Sequence, residues 1–106
     1  GNIKVAINAM LSAKEPHSFL GINDLGIPCI VNTSGNPYTH IVLRGSETKT
    51  NYDEKNVKNA ELELASNNLS PKIMIDCSHG NSGKDYRNQI NVFEDIIQQI
   101  KKVTKI

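Results

Sequence analysis

The chain has 106 residues, 38% of them hydrophobic, with 12 Lys and Arg against 11 Asp and Glu. That is apolar material for one modest domain, and the balanced charge provides neither the long-range field nor the basic run of a nucleic-acid-binding arm. Cys29 and Cys77 lie in apolar contexts without CxxC spacing, and no signal peptide or membrane-length apolar run is visible, so the expectation is a cytoplasmic domain with free thiols and no membrane partner.

Gly1 and Asn2 lead at once into helical spacing, the pattern of a chain entered midway. Ile3, Ile7, Met10 and Leu11 recur at three and four residues until Pro16, which predicts an amphipathic helix over Ile3 to Lys14. A strand is the runner-up, because IKVAI is β-branched. His17 to Ile22 and Pro28 to Thr33 are apolar runs separated by Asn23, Asp24 and Gly26, the composition of a β-hairpin. After the SGNP turn, His40 to Arg44 (HIVLR) is a short strand closed by Gly45.

Ser46 to Asn51 is a polar loop. A helix follows from Asp53 to Asn68, capped by Asn51 or Asp53, with Val57, Ala60, Leu64 and Leu69 as its buried stripe. Ser70-Pro71 breaks it, and a buried strand, Lys72 to Asp76, runs into a turn from Cys77 to Gly83. The last helix, Asn88 to Val103, places Ile90, Phe93, Ile97 and Ile100 on one side and ends in Lys101 and Lys102, which suit the negative end of its dipole.

This order predicts an α/β fold. Two strands separated by a helix of this length require a crossover, so HIVLR and KIMID are expected as parallel neighbours with Arg44 and His79 at their carboxyl ends. Ligands gather at such ends, because loop atoms converge there over a rigid base. On a regular strand Ile73, Ile75, Cys77 and His79 share a face, which sets the imidazole at the mouth of whatever cavity that face lines.

Chemistry concentrates in Met74 to Lys84, MIDCSHGNSGK. GNSGK after a strand invites a phosphate-loop reading, but Ser78 stands where its first glycine belongs and Asp85 where its magnesium-binding hydroxyl belongs. What stays open is that Ser78, Ser82 and backbone amides approach an anion. A guanidinium at Arg44 binds phosphate as a bidentate fork, and a neutral imidazole at His79 can hold a divalent metal. Each residue alone is more often a surface ion pair or a hydrogen-bonded loop histidine; their inferred co-location favours a site. Asp76, on the other parity, is expected to cap the turn or buttress the site. Cys77 is expected in the core, and Lys84 pairs with Asp85 or Glu94 or reaches the rim.

IVNTSGN (Ile30 to Asn36), HIVLRG (His40 to Gly45) and MIDCSHGNSGK together resemble the type I 3-deoxy-D-arabino-heptulosonate 7-phosphate (DAHP) synthases, the phospho-2-dehydro-3-deoxyheptonate aldolases, with similarity in order along the whole chain. A polar insertion near Ser46 to Thr50 is the main irregularity. The resemblance implies a TIM (β/α)8 barrel, of which residues 1–106 are a part within a single domain: the fifth helix, an inserted β-hairpin, and βα units six and seven. A complete barrel takes ~250 residues. It also implies the first step of aromatic amino-acid biosynthesis, condensation of phosphoenolpyruvate with erythrose 4-phosphate to DAHP and phosphate. An essential divalent metal (Mn, Fe, Co or Zn) serves to polarise the aldehyde.

On the matching positions Arg44 is a phosphoenolpyruvate-binding residue, and His79 is a metal ligand within the same substrate site. The family's other ligands, a cysteine from an early strand and a glutamate and an aspartate late in the barrel, lie outside this chain, which alone is therefore expected to be catalytically silent. Phe19, Gly21, Ile22 and Val31 match the feedback pocket for an aromatic amino acid, and Gly21 leaves room for a phenolic hydroxyl, which favours tyrosine. The competing readings are a free-standing α/β domain that binds a phosphorylated ligand without chemistry, and a homo-oligomerising piece whose open sheet edges pair with a second copy.

Overall fold

The apolar spacing at the start of the chain folds into α1 (Ile3–Lys14), with Ile7 and Met10 buried and Ile3 and Leu11 half-buried. Pro16 stops it, and the N–H of Asn36 satisfies the carbonyl of Ala13 at 2.7 Å. The computed structural model describes residues 2–102; Gly1 and Val103, the predicted end of the last helix, lie outside them. Two compact units result, one formed by the residues up to Ile7 with those from His40 onward, the other by Asn8–Thr39.

In the smaller unit β1 (Ser18–Ile22) pairs antiparallel with β2 (Pro28–Asn32), Phe19 opposite Val31 and Gly21 opposite Cys29. Asn23 makes the turn: its Oδ1 accepts from the N–H groups of Leu25 at 2.9 Å and Ile27 at 3.0 Å. Gly26 supplies the positive φ of 75° that follows.

The larger unit is built on β3 (Ile41–Leu43) and β4 (Ile73–Ile75), parallel neighbours in the register Ile41 to Ile73 and Leu43 to Ile75, as the crossover requirement predicts. Between them runs α2 (Glu54–Ser66). Asp53 caps it by accepting from the N–H of Asn56, and Asn68, at φ 57°, ends it before Pro71. Val57, Ala60 and Leu64 are buried with Ile41, Leu43 and Ile73; Leu69 is half-buried. Alternation turns Val42 and Met74 to the other side, where they are 46% and 53% exposed.

The last helix, α3 (Gln89–Lys101), forms where predicted but buries a different stripe. Val92, Ile96 and Gln99 face inward, whereas Ile90, Phe93 and Ile100 are exposed and Ile97 is half-buried. Two stripes compete on this helix, and the inward one is disguised by a polar residue. Gln99 belongs to it because its Nε2 donates to the carbonyl of Tyr52 and to Asp95 Oδ1, both at 2.7 Å. Among the described residues no helix is long and apolar enough to cross a membrane.

Candidate functional site

The carboxyl ends of β3 and β4 lie side by side. The N–H of Asp76 donates to the carbonyl of Leu43 at 2.9 Å, so the ladder extends one step and Arg44 and Asp76 leave it together. The carboxylate of Asp76 is fully engaged: Oδ1 accepts from the N–H of Ser78 at 2.7 Å, and Oδ2 lies 2.7 Å from Nδ1 of His79. Its pKa is lowered below the usual 3.8, mostly by the Ser78 N–H, against an opposing effect of burial, with the His79 hydrogen bond and the charges of His79 and Arg44 adding to it. Asp76 therefore both caps the turn and buttresses the imidazole.

His79 does not get there along the strand. β4 stops at Ile75, and His79 opens a 3-10 turn (His79–Ser82) at φ 49°, so it shares no face with Ile73 and Ile75. The turn folds it back onto Asp76 instead. With Nδ1 held by the carboxylate and a side chain 56% exposed, Nε2 is the nitrogen left for a ligand. This carboxylate–imidazole pairing is the arrangement that fixes tautomer and ring plane for a metal, so the pair fits one ligand of such a site. Among the described residues no group of three His, Cys, Asp or Glu side chains could hold a metal ion. Cys77 is half-buried, and its thiol is pushed up by burial and then by the charge of Asp76, which suits an inert core thiol.

A pH prediction follows from Asp76. Its native carboxyl binds the proton more weakly than the unfolded chain does, so its stabilising contribution is present above the ordinary value of 3.8 and is lost as pH falls through the lower native value. Asp76→Asn is expected to lose stability at neutral pH and to flatten the acid limb of the unfolding curve below about pH 4. An acid limb identical to that of the parent in denaturant titrations would show that Asp76 has no part in it.

The rest of the turn is closed on itself. The N–H groups of Asn81, Gly83, Lys84 and Asp85 donate to the carbonyls of Arg44, Gly80, His79 and Ser82. Ser82 is buried with its hydroxyl on the His79 carbonyl, and Ser78 Oγ accepts from Gln89. The Ser82 hydroxyl and these four amides are thus turned to protein carbonyls and not to an anion. Asp85 pairs with Arg87 at 2.9 Å, not with Lys84. A cavity of about 400 Å³ lies beside β3, lined among others by Arg44, Lys49, Asn51 and Asn56; His79 does not line it.

One residue that sequence reasoning passed over is Asn81. It is 4% exposed, and its side chain bonds the carbonyls of Leu43 and Asp76 and the N–H of Asn51. An asparagine between two glycines reads as turn chemistry, and nothing local marks it as buried.

In the hairpin, Phe19, Gly21 and Val31 stand on one face by strand alternation, whereas Ile22 stands on the other with Leu20 and is 72% exposed. The structure therefore gathers three of the four residues matched to a feedback pocket and sets Ile22 apart. A Cβ at Gly21 would lie 2.8 Å from Val31 Cγ2 and 3.6 Å from Phe19 Cε2, so the glycine leaves a notch between the two.

The profile of the DAHP synthetase I family matches residues 1–105. The Tyr-sensitive phospho-2-dehydro-3-deoxyheptonate aldolase of Escherichia coli is 46% identical over 101 residues, covering 95% of this chain and 28% of that protein. The phenylalanine-inhibited aldolase of Saccharomyces cerevisiae is 42% identical over 104 residues, with 94% of this chain and 28% of its own length covered. Among solved structures, the phospho-2-dehydro-3-deoxyheptonate aldolase of Francisella tularensis superposes with a TM-score of 0.93 at 40% identity, over 100% of this chain and 31% of that one. The chain thus spans less than a third of the length of these relatives.

Proposed function

We propose that this chain, which belongs to the DAHP synthetase I family, is the part of a synthase that supplies a phosphoenolpyruvate-binding arginine, Arg44, and one metal-ligand histidine, His79. The complete enzyme condenses phosphoenolpyruvate with erythrose 4-phosphate to give DAHP and phosphate. In it β3 and β4 are strands six and seven of a TIM barrel and α1 is the helix after strand five. The exposed Val42 and Met74 face and the exposed Ile90, Phe93 and Ile100 of α3 are surfaces that the remaining barrel covers, which supports this reading.

The observation that carries the proposal is that Arg44 and Asp76 leave adjacent parallel strands together and that Asp76 holds the His79 imidazole at 2.7 Å. Arg44 offers a planar fork for a phosphate or carboxylate. Asp76 holds the His79 ring so that Nε2 faces outward and keeps the tautomer that leaves that nitrogen a lone pair. When bound, a divalent metal contributes Lewis-acid polarisation of the aldehyde carbonyl. The test is DAHP formation by the full-length protein from the two substrates, with and without chelator; metal-dependent product is expected, and its absence from metal-loaded protein overturns the proposal. The 106 residues alone are expected to make none, and turnover by them would contradict the incomplete ligand set.

The effector of the complete enzyme is an aromatic amino acid bound beside Phe19, Gly21 and Val31, with tyrosine favoured by the notch at Gly21. Gly21→Ser fills the notch with a Cβ 2.8 Å from Val31 Cγ2; a steric penalty of roughly 1–3 kcal/mol borne by the tyrosine-bound form corresponds to a half-inhibitory tyrosine concentration raised about 10-fold or more. Calorimetry that finds phenylalanine binding and no tyrosine binding to the parent enzyme would reverse the assignment.

A further inference from the structure

We propose that Asn81 is a positioning residue that locks Arg44 against the Asp76–His79 pair, an inference resting on the roles assigned to those groups above. Asn81 is 4% exposed, and its bonds run to both strands. Nδ2 donates to the carbonyl of Leu43 at 3.0 Å and to that of Asp76 at 2.9 Å, Oδ1 accepts from the N–H of Asn51 at 2.8 Å, and its own N–H donates to the carbonyl of Arg44 at 3.0 Å.

The carbonyls of Leu43 and Arg44 belong to the peptide groups before and after Arg44. The Asp76 carbonyl belongs to the peptide that follows the carboxylate orienting His79. One side chain and one N–H therefore hold both flanks of the arginine and the root of the imidazole turn, just past the point where the β ladder ends. The sequence permits this because Gly45 and Gly80 lack side chains where the turn crosses the end of β3; a Cβ at Gly45 would stand 2.6 Å from Asn81 N. Only a carboxamide of this length serves. Aspartate turns acceptors toward two carbonyls, alanine takes their bond from the Asp76 carbonyl and the Asn51 N–H and leaves the Leu43 carbonyl only the N–H of Asp76, and a buried polar group without a partner is costly.

Gln99 provides the control: among the described residues it is the other side-chain amide that is buried and donates to a loop carbonyl, Tyr52 at 2.7 Å, and it belongs to neither assigned group. In the full-length enzyme, Asn81→Ala is expected to lower kcat/KM roughly 100-fold, as misplacement by about 1 Å does, and to weaken divalent-metal binding by about 10–100-fold. Phosphoenolpyruvate affinity, measured by calorimetry without the second substrate, should fall as well. Gln99→Ala should lose thermal stability but keep both affinities. Asn81→Asp, which retains the acceptor for Asn51 and loses both donors, should follow Asn81→Ala. The proposal is overturned if Asn81 variants bind metal and phosphoenolpyruvate as the parent does, or track Gln99→Ala in every readout, or fail to fold while Gln99→Ala folds. If Arg44→Ala and His79→Ala both retain parental activity, the site assignment itself fails, whatever Asn81 does.

Discussion

If the proposed function holds, replacing His79 with alanine in the full-length protein is expected to cut kcat/KM by well over 100-fold and to weaken divalent-metal binding in parallel. The magnitude follows from a lower bound. Loss of a partner that merely orients a metal-ligating histidine costs about 10–100-fold in affinity or activity, so removing the ligand itself must exceed that range. In the role proposed for His79 the orienting partner is Asp76, whose Oδ2 sits 2.7 Å from Nδ1 and whose Oδ1 accepts from the Ser78 N–H at 2.7 Å. Asp76→Asn should therefore lie between the parent and His79→Ala in metal affinity. His79 is exposed and takes no part in the apolar core, so folding should survive its loss. Unchanged metal titration in a well-folded His79→Ala protein would remove the histidine from the site.

Gly45→Ala is expected to destabilise the protein by roughly 2–5 kcal/mol, since a left-handed backbone costs an L-residue roughly 1–2 kcal/mol and overpacking a further 1–3. Gly45 has φ 76°, and an added Cβ would meet Asn81 N at 2.6 Å, Gly80 C at 2.7 Å and Asn81 Oδ1 at 2.9 Å. Two of these are backbone atoms that no rotamer change can move. Gly26→Ala isolates the backbone cost, because Gly26 has nearly the same φ, 75°, with no atom within 4 Å of the added carbon. Denaturant melts should thus show Gly45→Ala losing well beyond Gly26→Ala. Equal losses would mean that the approach of Gly45 to the turn carries no energetic weight.

Much of this was legible in the residues because it depends on local rules. The spacing of Val57, Ala60 and Leu64, the cap at Asp53 and the break at Pro71 specify α2 within the segment itself. A helix of that length between two apolar runs leaves parallel pairing of β3 and β4 as its geometric consequence. The meeting of Arg44 and Asp76 was legible for the same reason: each directly follows its strand, and strand ends of a parallel pair are neighbours, whereas His79 returns to that end only through the 3-10 turn.

Other features depended on neighbours distant in the chain. On α3, composition offered two apolar stripes, and the one that is buried, Val92 and Ile96, includes Gln99, whose partner Tyr52 lies 47 positions away in the chain. Strand parity suggested a face for His79 that the 3-10 turn abolished. Ile22 matched a pocket by position, yet alternation across the hairpin turned it away from Phe19 and Val31.

The sequence by itself determined the elements, their order, the parallel pairing and the family motifs, because periodicity, capping and turn chemistry act within a few residues. Only the tertiary structure decided which helix face is buried, how the imidazole meets Asp76, and that Asn81 clasps two strand ends. Those outcomes depend on which backbone groups are left without partners once the elements pack, and a buried donor or acceptor takes whatever partner the fold brings within reach.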